Sequence, residues 1–227
     1  MRVIVNEKLV TKRSTAARNA TTIGLVLLVL TVILSFRPGY VLAAYGVLLI
    51  SFVLLGWGAG RGARWLQEPR PDQRVAKALK GLDNKYQLYS FLLPAEQVLL
   101  CPTGLFVLLL KLTDGKIKCH GEKWHRKFTF WHIFLWLAEE RLGNPSKRAN
   151  AEAQKLRRFV TNRLPEADIL IQPVIVFVDP KAELEVVEPT VPAMLLSELK
   201  AYLRDAKTAL PQKTYQALTQ LFNEQAI

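Results

Sequence analysis

Two long runs without a charged residue constrain this chain more than any other feature. The first is ATTIGLVLLVLTVILSF at residues 20–36, and the second is VLAAYGVLLISFVLLGWGAG at residues 41–60. A helix needs about 20 apolar residues to span the hydrocarbon core of a bilayer, with a usual range of about 17–25. The tripeptide Arg-Pro-Gly at 37–39 separates the runs, and proline and glycine commonly end helices. The sequence therefore predicts a two-helix transmembrane hairpin at residues 20–60.

Two other interpretations of the apolar runs are a pair of buried core helices and a cleaved signal peptide. A soluble chain rarely has so many consecutive residues without a charge, which disfavours core helices. A signal peptide is disfavoured because no small-residue cleavage site precedes a polar mature start, and because a second apolar run follows at once. Both observations favour true membrane spans.

Basic residues on both sides of the apolar runs predict the orientation of the hairpin. Five Lys or Arg residues precede the first run against one acidic residue, and several Arg residues follow the second run. Lys and Arg are enriched in cytoplasmic segments. We therefore expect a multi-pass protein of the cell membrane, with two spans and with its soluble part in the cytoplasm. The chain has only two cysteines, which agrees with a reducing compartment.

The remaining sequence has the composition of a basic soluble domain. The chain has 227 residues, 50% of them hydrophobic, and a net charge of +12. An apolar hairpin joined to a basic domain accounts for this unusual combination. We predict a basic cytoplasmic N-terminal segment at 1–19, the hairpin at 20–60, a basic juxtamembrane linker at 61–71 and a cytoplasmic domain at 72–227.

The first half of the soluble part predicts a short helix followed by strands. Asp72 is a good N-cap residue for the helix, and β-rich runs begin near Tyr86. The run Gly104–Leu112 is apolar on both faces, which predicts a central strand. The dipeptide Asp114-Gly115 is a strong hairpin signal and predicts pairing of this strand with residues 116–120.

The second half of the soluble part predicts a long helix, a buried strand and two further helices. Asn144 suits the N-cap of the long helix and Pro145 suits its first position. The run DILIQPVIVFVD predicts the buried strand, and the last two helices are expected near 192–207 and 211–225. Residues 128–142 are apolar and aromatic but too short to span a membrane. They fit a strand, a buried helix or an amphipathic segment on the bilayer equally well.

The order helix, three-stranded meander, helix and strand is that of the αβββαβ core of the restriction-endonuclease-like fold. In detail the sequence resembles the nuclease-related domain (NERD) family over roughly residues 72–205. The matching segments are EQVLLCPTG, GLFVLLLKLTDGKI, Trp124, GNPSKRANAEAQKL and PVIVFVDPKAELEV. The resemblance implies an α+β domain with a mixed α/β sheet, preceded by the two transmembrane helices.

The resemblance also implies a degenerate catalytic site. Such nucleases hold Mg²⁺ with an Asp and a Glu, while a Lys stabilises charge near the attacking water. The family motif places Glu96 at the Asp position, Leu109 at the Glu position and Lys111 at the Lys position. Because leucine has no oxygen to bind a metal, we expect no metal or cofactor here, and we expect Lys111 to be solvated or paired with Glu96. Mg²⁺ is expected only if the chain is an active nuclease with a rearranged site. The missing carboxylate would then come from Asp114, Glu122 or Glu152.

A zinc site is the other metal centre that the sequence raises. Its candidate ligands are Cys101, Cys119, His120 and His125. Their spacing lacks the paired cysteines of common zinc motifs. Buried thiols and surface imidazoles are the favoured interpretation.

Basic residues cluster in the domain, where residues 61–163 contain 20 Lys or Arg against nine Asp or Glu. Membrane proximity, with attraction to anionic lipid, already explains such a basic excess and is its favoured interpretation, and a phosphate track for nucleic acid is the alternative. The sequence favours a binding or scaffolding protein over an enzyme, with nucleic acid as the first ligand to test. The alternatives are an active Mg²⁺-dependent nuclease and a membrane-surface module that docks a partner through 128–142. The binding residues predicted on the long helix are Lys147, Arg148, Lys155, Arg157, Arg158 and Arg163.

Overall fold

The computed structural model describes residues 1–126, 142–165, 169–206 and 209–225. It contains two compact units. One unit is built from residues 7–70, and the other contains residues 1–6 together with the described residues from 71 onwards. The aromatic segment at 128–142 lies outside the described residues except for Leu142, so its three interpretations stay predictions.

Two long helices make up the first unit. Helix α1 is Glu7–Ser35 and helix α2 is Val41–Trp65, with a short 3-10 turn at Pro38–Tyr40 between them. Both helices are long and apolar enough to cross a membrane. Only 22% and 17% of their most apolar windows are buried, and Leu42 is 87% exposed. Core helices of a soluble protein bury such residues. The low burial of α1 and α2 is therefore unlike that of core helices.

Small residues allow α1 and α2 to pack closely. Ala17 and Gly24 of α1 are buried in the hairpin. A Cβ atom added to Gly24 would lie 2.8 Å from Cγ of Leu55. At Gly58 an added Cβ would lie 3.2 Å from the backbone oxygen of Ala17 and 3.0 Å from the backbone nitrogen of Thr21. Apolar helices commonly associate through small residues of this kind because their backbones can then approach each other.

Hydroxyl groups inside the hairpin are satisfied by the helix backbone. Oγ1 of Thr31 donates to the backbone oxygen of Leu27 at 2.9 Å, and Oγ of Ser51 donates to the backbone oxygen of Leu48 at 2.9 Å. A hydroxyl bonded in this way does not need water. These polar residues are therefore compatible with an apolar environment.

Two β-sheets and four helices make up the described part of the second unit. The strand order is β1-β2-β3-β4-β7-β9 in the larger sheet and β6-β5-β8 in the smaller one. The strands are β1 Arg2–Val5, β2 Gln87–Ser90, β3 Gln97–Cys101, β4 Gly104–Lys111, β5 Gly115–His120, β6 Lys123–Arg126, β7 Ile171–Phe177, β8 Ala182–Val187 and β9 Ala193–Leu195. The helices are α3 Pro71–Ala78, α4 Pro145–Arg163, α5 Leu196–Asp205 and α6 Gln212–Glu224.

Strand β4 is the centre of the larger sheet. Every residue of β4 is buried, and the two faces of the strand lie in different hydrophobic clusters. Leu105 packs with residues of α4 and α6, whereas Phe106 packs with residues near α3 and in α5. The prediction of a central strand at Gly104–Leu112 is confirmed, as is the αβββαβ order of α3, β2-β3-β4, α4 and β7.

The hairpin predicted at Asp114-Gly115 is wrong. Strand β4 pairs with β3 antiparallel on one edge and with β7 parallel on the other. The backbone nitrogen of Val178 also donates to the backbone oxygen of Lys111 at 2.9 Å, so the β7 edge of β4 is occupied to the end of the strand. Residues 116–120 instead belong to β5, which pairs antiparallel with β6 and parallel with β8. The turn signal is real, but it directs the chain into the second sheet.

The N-terminal residues differ from the predicted domain boundaries. The sequence places 1–19 in a separate basic segment, but β1 pairs parallel with β2, from Arg2 opposite Gln87 to Val5 opposite Ser90. Helix α1 then begins at Glu7. The β-branched run Val-Ile-Val favours a strand, and β2 has an edge that accepts it. Residues 1–6 are thus part of the sheet, and the other residues of the predicted segment belong to α1.

The helix signals of the second half are confirmed. The side chain of Asn144 caps α4 by accepting from the backbone nitrogen of Lys147 at 3.0 Å, and Pro145 is the first helical residue. Helix α6 lies within the predicted range 211–225. Helix α5 is shorter than the predicted 192–207 because Ala193–Leu195 form the edge strand β9.

A polar network fixes α6 against β2. Nε2 of Gln87 donates to the hydroxyl of Tyr215 at 2.8 Å, and the hydroxyl of Tyr89 donates to Oε1 of Gln87 at 2.7 Å. The Tyr89 ring also packs edge-on against Phe222, with ring centroids 5.3 Å apart. Because these groups are buried or half-buried, their bonds select one position of the helix on the strand.

A bulky residue at Gly58 should separate α1 from α2. We expect Gly58→Leu to lower the thermal unfolding temperature of the detergent-solubilised full chain, since its side chain meets the α1 backbone. Gly46→Leu is the matched control, because a Cβ at Gly46 has no atom within 4 Å and the change in helix propensity is the same. Circular dichroism at 222 nm measures both. Equal unfolding temperatures for the two variants would contradict the packing.

Alkaline pH should weaken the contact between α6 and β2. Burial raises the pKa of Tyr89 to about 12, above the ordinary tyrosine value of about 10. Folding therefore favours the neutral phenol, and its contribution is complete below pH ~10 and is lost as the pH rises through 10 towards 12. We expect the urea stability of the wild type to fall more steeply over this window than that of Tyr89→Phe. Parallel pH profiles would show that Tyr89 does not titrate in this way.

Candidate functional site

Two of the three positions of the family motif, Leu109 and Lys111, lie on one face of the larger sheet, and Glu96 lies in the bend before β3. Val98 pairs with Val107 across β3 and β4, and continuing this register to the residue before β3 places Glu96 opposite Leu109. Alternation along a strand puts Leu109 and Lys111 on the same face. The backbone oxygen of Glu96 accepts from the backbone nitrogen of Phe91 at 2.7 Å, which fixes the turn before β3. The placement of Glu96 at the Asp position of the motif stays a prediction.

Leu109 is part of the hydrophobic core. It is 3% exposed and lies in one cluster with Ala149 of α4, Ile117 of β5 and Ile175 and Phe177 of β7. The position that the motif resemblance assigns to a metal-binding glutamate is therefore occupied by an apolar side chain with apolar neighbours. A divalent cation at this position would find no oxygen ligand from Leu109 and would lose its hydration among these neighbours.

Lys111 is buried at the end of the central strand. Its exposure is 0%, and it pairs with Phe177 in the parallel ladder of β4 and β7. The expectation of a solvated Lys111 is therefore wrong, while pairing of Lys111 with Glu96 stays a prediction. Lysine usually keeps its ammonium in water, but Lys111 is fully buried beside Phe177 of β7.

The smaller sheet packs its inner face against the Leu109 cluster. Ile117 of β5 belongs to this cluster, and Trp124 of β6 packs against it. The indole nitrogen of Trp124 donates to Oγ of Ser146 at 2.9 Å, and its ring lies 5.9 Å from that of Phe177 between centroids. Sequence matching detects Trp124 but not this role. The smaller sheet therefore covers Leu109 and excludes solvent from it.

The alternative carboxylates do not form an evident metal site. Asp114 makes an ion pair with Arg126. Glu122 is exposed in the turn between β5 and β6. Glu152 of α4 accepts from Nζ of Lys155 at 2.6 Å, while its second carboxylate oxygen is buried without a hydrogen-bond partner. Among the described residues, no group of three His, Cys, Asp or Glu side chains is arranged to hold a metal ion.

The four residues considered for zinc lie in separate environments. Cys101 is buried in β3, where burial raises the pKa of its thiol. Cys119 is buried on the inner face of β5, and burial raises the pKa of this thiol as well. His120 and His125 are exposed on the smaller sheet. Raised pKa values favour neutral thiols, which are poor metal ligands.

The six predicted binding residues of α4 are all exposed, but they do not form one surface. With about 100° of rotation per residue, four of them share one sector opposite the buried stripe of Ala149 and Leu156. We call these four the α4 basic stripe: Lys147, Arg148, Lys155 and Arg158. Arg157 lies on another flank, and the guanidinium of Arg163 stacks on the ring of Phe159, with its Cζ atom 4.0 Å from the centroid.

Amide side chains that the sequence interpretation did not single out accompany the stripe. Asn150, Gln154 and Asn162 are exposed on α4; Asn162 falls within the sector of the stripe and the other two lie beside it, and all three supply hydrogen-bond donors and acceptors. The exposed residues of α4 include no large apolar side chain. A helical-wheel projection of α4, rather than a count of its charges, would have shown from the sequence both the exposed amides and the lack of exposed large apolar side chains on this helix.

A comparison with known protein families identifies the family of this chain. The nuclease-related domain (NERD) profile matches residues 64–178, about half of the chain. The chain belongs to the NERD family. No curated protein and no solved structure shows a significant match. The matched region of this NERD protein extends from the end of α2 to the residue after β7, so it includes Glu96, Leu109, Lys111 and all of α4.

A carboxylate at position 109 should destabilise this NERD domain. We expect Leu109→Glu to lower the free energy of unfolding by about 3–5 kcal/mol, because an unpaired charge replaces an apolar side chain in the core. Leu170→Glu makes the same chemical change where the leucine is 58% exposed, and it should cost little. Urea unfolding of both variants measures the difference. A Leu109→Glu protein as stable as Leu170→Glu would contradict the closed site.

Proposed function

We propose that this chain is a membrane-anchored NERD protein that binds nucleic acid and does not cleave it. The observation that carries the proposal is the environment of the motif, in which Leu109 is 3% exposed and Lys111 is fully buried. Metal-dependent phosphodiester cleavage needs oxygen ligands for Mg²⁺ and access for the phosphate. Leu109 supplies no ligand, and neither side chain is accessible to a phosphodiester.

The connectivity of the hairpin supports membrane anchoring. Residues 1–6 and the described residues from 71 onwards belong to the same folded unit, so the chain before the hairpin and the chain after it are on one side of any membrane that the hairpin spans. A chain that crosses a membrane twice returns to its starting side, whereas a chain that crosses once does not. The exposed apolar side chains of α1 and α2 suit lipid, and the basic flanks favour the cytoplasm for the domain.

The α4 basic stripe supports nucleic acid as the ligand. Its cationic side chains neutralise phosphates by releasing condensed counterions, and neighbouring amides donate hydrogen bonds to phosphate or sugar oxygens. A helix that lies in a membrane surface inserts large apolar side chains, whereas the apolar residues of α4 are buried against the sheet. The stripe therefore fits a phosphate backbone better than a bilayer.

The α4 stripe should set the salt dependence of nucleic-acid binding. The protein is the full chain in nanodiscs of uncharged lipid, since truncation before residue 61 would remove β1 from the sheet. We expect Lys147→Gln, Arg148→Gln, Lys155→Gln and Arg158→Gln together to reduce the slope of log K against log salt for a 16-bp DNA duplex by about three to four. The measurement is fluorescence anisotropy at several KCl concentrations.

The control for the stripe variant removes the same charge elsewhere. Lys77, Lys181, Arg204 and Lys213 are exposed, and their joint replacement by glutamine should change the slope much less. Equal effects of the two variants would point to net charge rather than to a site. Absence of binding by the wild type would reject nucleic acid as the ligand.

Mg²⁺-dependent cleavage is the assay that decides between this proposal and an active nuclease. We expect no cleavage of plasmid DNA by the wild type. Cleavage that disappears in Lys111→Ala, while duplex binding is retained, would favour the nuclease. Retained binding is needed because removal of a buried lysine can also unfold the domain.

A further inference from the structure

The outer face of the smaller sheet carries a second set of basic residues. Alternation along β5 buries Ile117 and Cys119 and exposes Lys116, Lys118 and His120. Lys123 and His125 of β6 are also exposed. In the register of the sheet His120 pairs with Lys123 and Lys118 pairs with His125, so the exposed members of both strands share one face.

The acidic residues of this face lie on one side of it. Glu183 and Glu185 of β8 form ion pairs with Lys116 at 3.4 Å and with Lys118 at 2.6 Å. The opposite side carries His120, Lys123 and His125, which we call the β6 basic face. Within the ranges that the structure describes, no ion pair with an acidic residue involves these three side chains. The β6 side can therefore meet an anion without displacing a carboxylate.

Two contacts hold the β6 basic face next to the start of the α4 stripe. Nδ2 of Asn144, the N-cap of α4, donates to the backbone oxygen of Glu122 at 3.3 Å. The indole of Trp124 bonds to Ser146. Lys123 lies between Glu122 and Trp124 in the chain, and Lys147 follows Ser146. The turn between β5 and β6 therefore joins the two basic surfaces at the first turn of α4.

We propose that the β6 basic face is a second contact surface for nucleic acid, so that a bound duplex extends from α4 across the β5–β6 turn onto the smaller sheet. This inference rests on the proposed function. The α4 stripe rises over 11 steps from Lys147 to Arg158, about 17 Å at 1.5 Å per residue. Lys123 and His125 on β6 are two steps apart, about 7 Å at 3.3 Å per residue, so the two surfaces together offer contacts over several base pairs at 3.4 Å each.

Charge complementarity selects a phosphodiester polymer as the occupant. Duplex DNA presents one negative charge per about 1.7 Å of axis, which suits two adjoining surfaces with separated cations. The side chains of the β6 basic face are polar, and the exposed large apolar residue beside them is Val187 of β8, opposite His120, whereas a helix or face that inserts into lipid presents several such groups. A vesicle surface is the competing occupant in the test.

The test uses the full chain in uncharged nanodiscs and the 16-bp duplex. We expect His120→Gln, Lys123→Gln and His125→Gln together to weaken binding about three- to tenfold and to reduce the salt slope by about one, the effect of one lost phosphate contact. The control is Lys116→Gln with Glu183→Gln, which removes an ion pair from the same face without changing its net charge. This control should bind as the wild type does.

The outcomes separate this inference from the proposed function. Unchanged affinity and slope in the triple variant, with a weakened α4 stripe variant, would overturn the second surface and leave the proposed function in place. Equal losses in the triple variant and in the ion-pair control would also overturn it. Absence of duplex binding by the wild type would overturn both. Binding of phosphatidylserine vesicles but not of DNA, lost in the triple variant, would assign the face to lipid and reject the inference.

Discussion

The pairing of β4 on both edges is the constraint on which the rest of the domain depends. Strand β3 pairs with Gly104–Val107 on one side and β7 pairs with Leu105–Lys111 on the other, and the chain that leaves Lys111 enters a second sheet through β5. That sheet packs its apolar face on the end of β4, around Leu109. The burial of Leu109 therefore follows from the entry of the chain into this second sheet, whose apolar side chains pack on it.

Local signals made much of this fold predictable. The two apolar faces of Gly104–Leu112 indicate a central strand, and Asn144 with Pro145 marks the start of α4, because each signal acts within a few residues. The partner of β5 was not predictable from Asp114-Gly115, since the turn carries no information on which sheet the next strand joins. Strand β1 was missed for a similar reason, as its partner β2 lies more than 80 residues away.

The sequence likewise predicts one part of the candidate site and not another. Motif placement assigns Glu96, Leu109 and Lys111 to one site, and alternation along β4 puts Leu109 and Lys111 on one face. Access to these positions depends on packing, and lysine is ordinarily a surface residue, so the burial of Lys111 could not be read from its neighbours in the chain. A leucine at position 109 cannot bind a metal ion, and its side chain needs no hydration. The second sheet can therefore pack closely against it.

The position of the hairpin within the chain links anchoring to folding. Strand β1 is made first and α1 follows at Glu7, but β1 can pair only after β2 has been synthesised, with the whole hairpin between them. Closing such a distant pair costs loop entropy, which the parallel ladder and the Asn6 bonds to the end of β2, at 3.0 Å to Ser90 and 3.3 Å to Phe91, must offset. If the hairpin spans a bilayer as proposed, the two strands can meet only when both helices have inserted and the chain has returned to its starting side. Completion of the sheet would then depend on correct insertion, so that a wrongly inserted chain lacks its edge strand and leaves β2 unpaired on that side.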